Sequence, residues 1–278
     1  MEPWQVSAAL ASAALHAGWN AAVKVQANPP QAMTAQMAMS ALFVLPGLLW
    51  TGLPAADAWP WILASTTINL LIVNALLRSY ALIGFGTAYP VVRALSVMLV
   101  APLAALLSHE WPSVYGLAGI GLIAASLLLL AFGNRGSAAV PPVALSWMAA
   151  AGLATAAYVL CDAQGVRRAG SPMAYGFMVS ATNAAAMFAF QGVATRNWRG
   201  VLHYAAFAVP TALASTGSYL LILYVWAYAP VAPASALRDT SSIFAIVIAV
   251  VWLREPFSVL RLAAIVLSAA AIPLLRFA

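Results

Sequence analysis

The stretch TAYPVVRALSVMLV, residues 87–100, places Arg93 in the middle of an apolar segment. A second stretch, APASALRDTSSIFAIV at residues 232–247, places Arg238 in similar surroundings. The chain around them has 278 residues, of which 64% are hydrophobic and only 6% are charged, and its mean hydropathy is +0.94. Soluble domains carry about 25% charged residues. The composition therefore predicts an integral membrane protein whose solvent is the lipid bilayer.

Ten apolar segments are long enough to cross a bilayer, which takes about 20 residues. Proline, glycine and charged clusters separate them. They are expected near residues 4–25, 31–49, 59–82, 86–107, 113–132, 143–165, 172–195, 204–228, 231–253 and 257–277. No basic region precedes the first segment, so we interpret it as a retained helix and not as a signal peptide. The predicted fold is all-α and integral to the membrane, with ten transmembrane helices.

The two halves of the chain repeat each other. A shift of 145 residues aligns four polar residues with residues of the same type, namely Arg93 with Arg238, Ser96 with Ser241, Glu110 with Glu255 and Ser113 with Ser258. Five crossings are an odd number, so the second copy would enter the membrane inverted, as in many secondary transporters. We assign one five-helix repeat to residues 1–135 and the other to residues 141–278.

Arg93 and Arg238 each lie about eight residues into their predicted helix, or about 12 Å deep. A charge at such a depth costs about 2.5–3.5 kcal/mol on insertion scales. We expect both arginines to line a shared central cavity, with a structural ion pair or a carbonyl-capping role as the alternative. Asp239 is the carboxylate expected well inside a span, whereas Asp162 is expected at the membrane interface. Neighbours on a helix point about 100° apart, so Arg238 and Asp239 need not pair.

Other polar side chains are expected around the same cavity. In the first helix His16, Trp19 and Asn20 share one face, and in the third helix Asn74 and Arg78 do so. The alternative for His16 is a hydrogen bond that packs two helices. The remaining predicted substrate-binding residues are Tyr80, Tyr89, Tyr158, Tyr219 and Tyr224.

Several classes of function are disfavoured by what the sequence lacks. It contains no H-x-x-x-H, no D-x-x-D and no glycine-rich phosphate loop, so we predict no catalytic residues, no metal site and no cofactor. The net charge is +6, but the basic residues are scattered, so nucleic-acid binding is not expected. Cys161 is the single cysteine, which excludes an intrachain disulfide.

Two turns and one helix resemble a known family. The turns SHEWPS and LREPFS stand at equivalent positions, and HAGWNAAVK lies in the first helix. These features resemble the EamA domains of the drug/metabolite transporter superfamily, and the resemblance covers the whole chain. It implies secondary transport by alternating access through a central cavity, with proton or exchange coupling. If a proton is coupled, Asp239 or His16 is the candidate relay.

The resemblance also implies a class of substrate. In the sugar-phosphate and nucleotide-sugar branches, basic residues on the fourth and ninth helices hold anionic groups, and Arg93 and Arg238 lie on those helices. The small multidrug-resistance relatives use a first-helix glutamate for cationic drugs, and the first helix here has His16 and no carboxylate in that role. We therefore expect an exporter or exchanger of small anionic or zwitterionic metabolites, such as amino acids or organic acids. The alternative is a flippase for a lipid-linked polar head group.

The expected location is the inner cell membrane, with the protein as a monomer or a weak homodimer. The count of Lys and Arg in the predicted loops slightly favours an outside N-terminus. The resemblance implies that both termini are cytoplasmic, and we follow the resemblance. The expected partners are the lipid bilayer, a small-molecule substrate and a coupling proton.

Overall fold

The structure is a computed structural model, described here for residues 1–83, 85–133, 140–195, 198–252, 254 and 258–278. Within these ranges the regular secondary structure is helical, including a short 3-10 helix at Ala56–Ala58. The α-helices are α1 (Pro3–Lys24), α2 (Pro29–Thr51), α3 (Trp59–Ile83), α4 (Phe85–Ser108), α5 (Val114–Gly133), α6 (Pro142–Arg168), α7 (Pro172–Thr195), α8 (Trp198–His203), α9 (Ala205–Tyr228), α10 (Val231–Asp239), α11 (Ser241–Val251) and α12 (Val259–Arg276).

Nine segments of the described chain are long and apolar enough to cross a membrane. They are Pro29–Thr51, Ala56–Ile83, Thr87–Ser108, Val114–Phe132, Pro142–Arg168, Pro172–Phe190, Ala205–Tyr228, Val231–Ile248 and Val259–Arg276. Helix α1 has 22 residues, which is about 33 Å and long enough to span. Polar residues such as Gln5, His16 and Asn20 make it less apolar than the others. The all-helical membrane fold is thus confirmed, and the tenth span remains a prediction.

The ninth predicted span, expected as one helix over residues 231–253, is instead two helices that meet at Thr240. The Thr240 hydroxyl donates to the carbonyl oxygen of Leu237 at 2.6 Å, and its backbone N–H donates to the same oxygen at 3.2 Å. Threonine hydroxyls that bond nearby carbonyls compete with regular helical hydrogen bonds. The break therefore lies directly after Arg238 and Asp239.

The described residues form two compact units, and each unit contains helices from both halves of the sequence. Unit 1 consists of residues 1–10, 68–160 and 229–278, and unit 2 consists of residues 11–67 and 161–228. Helices α1, α3 and α6 contribute residues to both units.

Within unit 1, helices α4, α5, α10 and α12 pack together. Helix α5 lies along α12, and α10 contacts α4, α5 and α12. A Cβ on Gly119 would lie 2.6 Å from Cγ of Leu275, so this glycine permits the close approach of α5 and α12. The hydroxyls of Ser126 and Ser268 meet at 2.8 Å in the same contact. This packing fixes the helices that carry Arg93, Arg238 and Asp239.

Within unit 2, α2 packs along α7 and α9, and α7 also contacts α9. A Cβ on Gly47 would overlap the ring of Phe177, so α2 and α7 approach closely at this glycine. Ser12 and Ser218, both fully buried, each donate a hydroxyl to the carbonyl oxygen of the other at 2.7 and 2.8 Å. These bonds join the unit 2 part of α1 to α9.

Local structure repeats with the 145-residue period of the sequence. Helix α5 begins at Val114, and α12 begins at Val259. Ser113 accepts a hydrogen bond from the N–H of Gly116 at 3.1 Å, and Ser258 accepts one from the N–H of Arg261 at 3.3 Å. Each serine thus caps its helix in the same way.

The turns before these helices also repeat. His109 and Arg254 both have φ of 55°, a left-handed conformation that is uncommon outside glycine. The pairs α2 and α7, α4 and α10, and α5 and α12 are equivalent under the same shift, and the members of each pair contact each other. The proposed repeat boundary at residue 135, the predicted helix ends at residues 253 and 257, and Glu255 lie outside the described residues.

Candidate functional site

Arg93 has an acidic partner in unit 1. The guanidinium of Arg93, on α4, forms an ion pair with the carboxylate of Asp239, at the end of α10. The two side chains are 15% and 4% exposed. The structural ion pair, which was the alternative expectation for Arg93, is therefore present. It joins the fourth helix of the first half to the equivalent helix of the second half.

Arg238 lies beside this ion pair on α10. From Val231 to Asp239 every residue is buried except Arg238, which is half-buried. Adjacent residues of a helix point about 100° apart, so the side chains of Arg238 and Asp239 leave the helix in different directions. Together, Arg93, Arg238 and Asp239 carry a formal net charge of +1.

Two of the predicted tyrosines belong to the same part of unit 1. Tyr80 lies close enough to Tyr89 and Arg93 to interact electrostatically with both. Its ring also packs against a buried apolar cluster that includes Val92 and Met148. The structure therefore places Tyr80, Tyr89, Arg93 and Asp239 in one part of unit 1, and their role in substrate binding stays a prediction.

The other predicted residues of unit 1 have different surroundings. Arg78 is exposed, and its guanidinium lies over the ring of Trp147, 4.5 Å from the centroid. Asn74 and Tyr158 are half-buried in this unit. Arg78 thus has a cation–π partner, which explains how its charge is accommodated in an apolar chain.

In unit 2, the side chains predicted to share a face of α1 contact one another or their own helix. The rings of His16 and Trp19 meet edge to face at 5.2 Å. The amide of Asn20 donates to the carbonyl oxygen of His16 at 2.8 Å. Trp19 packs against a buried cluster that contains Val23 and Tyr204.

Asp162, which was expected at the membrane interface, is fully buried in unit 2. Its Oδ1 accepts hydrogen bonds from Ser65 at 2.6 Å and from Tyr175 at 3.0 Å. Its Oδ2 accepts one from Tyr219 at 2.7 Å. Helix α6 continues to Arg168, so Asp162 lies about 9 Å from the end of the helix, and its depth in the membrane stays a prediction.

Tyr219 and Tyr224, both predicted for the site, do not share a face of α9. Five residues of an α-helix turn through about 500°, so the two side chains point about 140° apart. Tyr219 bonds Asp162, whereas Tyr224 is 48% exposed and meets the ring of Tyr228 at 5.1 Å. Of these two tyrosines, Tyr219 is the one that contacts a buried charged group.

Comparisons with known proteins give one family and one fold. Residues 142–277 match the model of the EamA-like transporter family. The fold is similar to that of a solved structure described only as the crystal structure of a protein. The two chains superpose with a TM-score of 0.73 and 15% sequence identity, over 97% of this chain and 94% of the other. At this identity the match shows the fold alone. No curated protein matches the chain.

Proposed function

Because the chain belongs to the EamA-like transporter family, part of the drug/metabolite transporter superfamily, we propose that it is a secondary transporter of small anionic or zwitterionic metabolites. Amino acids and organic acids are the expected substrates. The family consists of membrane transporters, and the many apolar helices agree with a multi-pass membrane protein. Export or exchange by alternating access is the mechanism that we propose.

The observation that carries the choice of substrate is the cluster of two arginines and one aspartate on α4 and α10. Arg93 and Asp239 neutralise each other, and Arg238 adds a positive charge beside them. Charged side chains inside an apolar span are expensive to retain, which favours a functional reason for them. A substrate with a carboxylate supplies the negative charge that complements this cluster.

Exchange of partners at Arg93 offers a way to link substrate binding to helix movement. Guanidinium groups bind carboxylates through paired hydrogen bonds, whichever molecule supplies the carboxylate. A substrate carboxylate can therefore replace Asp239 as the partner of Arg93. That replacement removes one contact between α4 and α10 and so weakens the attachment of the two helices to each other.

The positions of Met1 and Arg276 support ten membrane crossings. The amino group of Met1 donates to the carbonyl oxygen of Arg276 at 2.6 Å, so the two residues lie at the same end of unit 1. A chain that begins and ends on one side of a membrane crosses it an even number of times. Since nine segments of the described residues are long and apolar enough to cross a membrane, α1 is the tenth span in this proposal. We place both ends in the cytoplasm and the protein in the inner membrane, which reporter fusions at Ala278 test.

Counterflow in proteoliposomes tests the proposed function. Vesicles that contain the purified protein are loaded with one unlabelled solute and exposed to its labelled form, with amino acids, organic acids and sugar phosphates in separate assays. We expect exchange of at least one carboxylate-bearing solute. Movement of a fluorescent lipid-linked head group without any solute exchange would instead establish the flippase and contradict the proposal.

A further inference from the structure

Three hydroxyl groups donate hydrogen bonds to the buried carboxylate of Asp162, and these bonds link four helices of unit 2. Ser65 comes from α3, Tyr175 from α7 and Tyr219 from α9, while Asp162 belongs to α6. Hydrogen bonds to an ionised carboxylate are roughly twice as strong as those between neutral groups. The negative charge therefore strengthens all three contacts at once.

Hydroxyl partners suit a carboxylate that gains and loses a proton. A hydroxyl group donates to an ionised carboxylate, and it can turn to accept a bond from the O–H of the protonated acid. Guanidinium and ammonium groups can only donate, so they cannot accept a bond from the O–H of the protonated acid. The donors around Asp162 are thus able to serve both of its forms.

Two arginines follow Asp162 on the same helix. On α6 itself, Arg168 bonds Gln164 and lies over the ring of Trp61, and Arg167 donates to the carbonyl oxygen of Trp226. The other titratable side chains of the unit 2 part of α6 and of the helices α7 and α9 that bond Asp162 are Cys161 on α6, Tyr175 on α7, and Tyr219, Tyr224 and Tyr228 on α9. Elsewhere in unit 2, α1 carries His16 and Lys24, and α8 carries Arg199 and His203.

We propose that Asp162 is the group that takes up the coupling proton of the transporter, an inference that rests on the proposed transport function. Protonation adds one proton to Oδ2, forms one O–H bond and removes the negative charge. The Tyr219 hydroxyl then turns so that its oxygen accepts from the new acid. With the charge gone, the bonds to Ser65 and Tyr175 lose their ionic component, and α6 is held less tightly to α3, α7 and α9.

In this proposal the proton reaches Asp162 from the side of the cluster on which Tyr219 lies. Ser65 and Tyr175 are fully buried, whereas Tyr219 is half-buried. Asp239, which the sequence offered as a relay, is bound to the guanidinium of Arg93. Uptake of a proton at Asp239 would break an ion pair, whereas at Asp162 the three hydroxyl groups can keep hydrogen bonds to the protonated carboxyl group.

Infrared difference spectroscopy tests the proton site without any substrate. Spectra of the purified full chain are compared between roughly pH 5 and pH 9, a range that covers the titration of buried carboxyl groups. We expect a carboxylic acid C=O band at the acid end that is lost in Asp162→Asn and kept in Asp57→Asn, whose parent carboxylate is exposed. A band that persists in Asp162→Asn, or is absent from the wild type, overturns the proposal.

A second variant guards against misfolding of Asp162→Asn. Tyr219→Phe removes one donor to the ionised form while it keeps the ring. We expect the band to remain and to appear at a higher pH than in the wild type, because the charged form has lost a hydrogen bond. An unchanged titration in Tyr219→Phe contradicts the role of Asp162.

Transport assays separate failure of the coupling from failure of the transport function. With labelled glutamate and succinate as probes, Asp162→Asn should keep counterflow at equal pH and lose accumulation driven by an imposed pH gradient. Wild-type counterflow that ignores the pH gradient, or gradient-driven accumulation that survives in Asp162→Asn, overturns the coupling role alone. Absence of wild-type counterflow for every probe overturns the transport function and with it the coupling role, whatever the infrared band shows.

Discussion

Arg93 forms an ion pair with Asp239. Asp239 directly follows Arg238, which is the equivalent of Arg93 in the other half of the chain. Arg93 and Arg238 are 145 positions apart, and α4 contacts α10. A residue near a two-fold axis contacts the neighbourhood of its own symmetry mate. The ion pair is therefore what a local two-fold relation between α4 and α10 would produce.

Breaking this ion pair from one side should destabilise the protein more than removing both partners. Removal of one member of a buried pair leaves an uncompensated charge and costs about 3–5 kcal/mol. We expect Arg93→Ala and Asp239→Ala each to lower the melting temperature in detergent, and the double variant to recover most of the loss. Additive losses in the double variant would contradict the pairing.

Glu110 should stabilise the beginning of α10. Its carboxylate accepts a hydrogen bond from the N–H of Val231, the first residue of the helix, at 2.7 Å. Loss of such a cap costs about 0.5–2 kcal/mol. We expect Glu110→Ala to speed amide hydrogen exchange at the start of α10. The matched variant Glu2→Ala, at an exposed glutamate, should leave that exchange unchanged, and equal effects of the two would refute the cap.

Gly165 should be intolerant of a side chain because of Tyr175. A Cβ at this position would overlap the ring and hydroxyl of Tyr175, which bonds Asp162. Overpacking of this kind costs about 1–3 kcal/mol. We expect Gly165→Ala to lower the melting temperature.

The control for this substitution is another helical glycine of unit 2. A Cβ on Gly18 would meet nothing within 4 Å, and replacement of a helical glycine by alanine gains about 1 kcal/mol. Gly18→Ala should therefore leave stability unchanged or raise it. If both alanine variants behave alike, the packing of Gly165 against Tyr175 is not what limits this position.

The helix positions and the internal repeat could be predicted from the sequence because polar residues interrupt the apolar segments at recognisable places. In an apolar chain, a serine or a charged turn stands out, so the 145-residue shift aligned Ser113 with Ser258, and the structure gives both the same capping bond. The predicted helix positions follow from the same contrast between apolar runs and polar breaks.

The features that the sequence missed depend on contacts between distant segments. Nothing near Asp162 in the chain indicates that Ser65, Tyr175 and Tyr219 would converge on its carboxylate. The pairing of Asp239 with Arg93 and not with its neighbour is likewise decided by the packing of α10 against α4. Helical periodicity places a residue on a face of its helix, and only the tertiary structure decides what that face meets.

Counterflow by Arg238 variants tests the central claim, that the arginines of α4 and α10 hold the negative charge of a substrate. Hydrogen bonds to charged groups contribute about 1.5–3 kcal/mol, so exchange of a carboxylate-bearing solute should fall about tenfold or more in Arg238→Ala and less in Arg238→Lys. Arg276→Ala, at an exposed arginine of the same unit, should exchange like the wild type. Wild-type exchange by a folded Arg238→Ala variant would contradict the account.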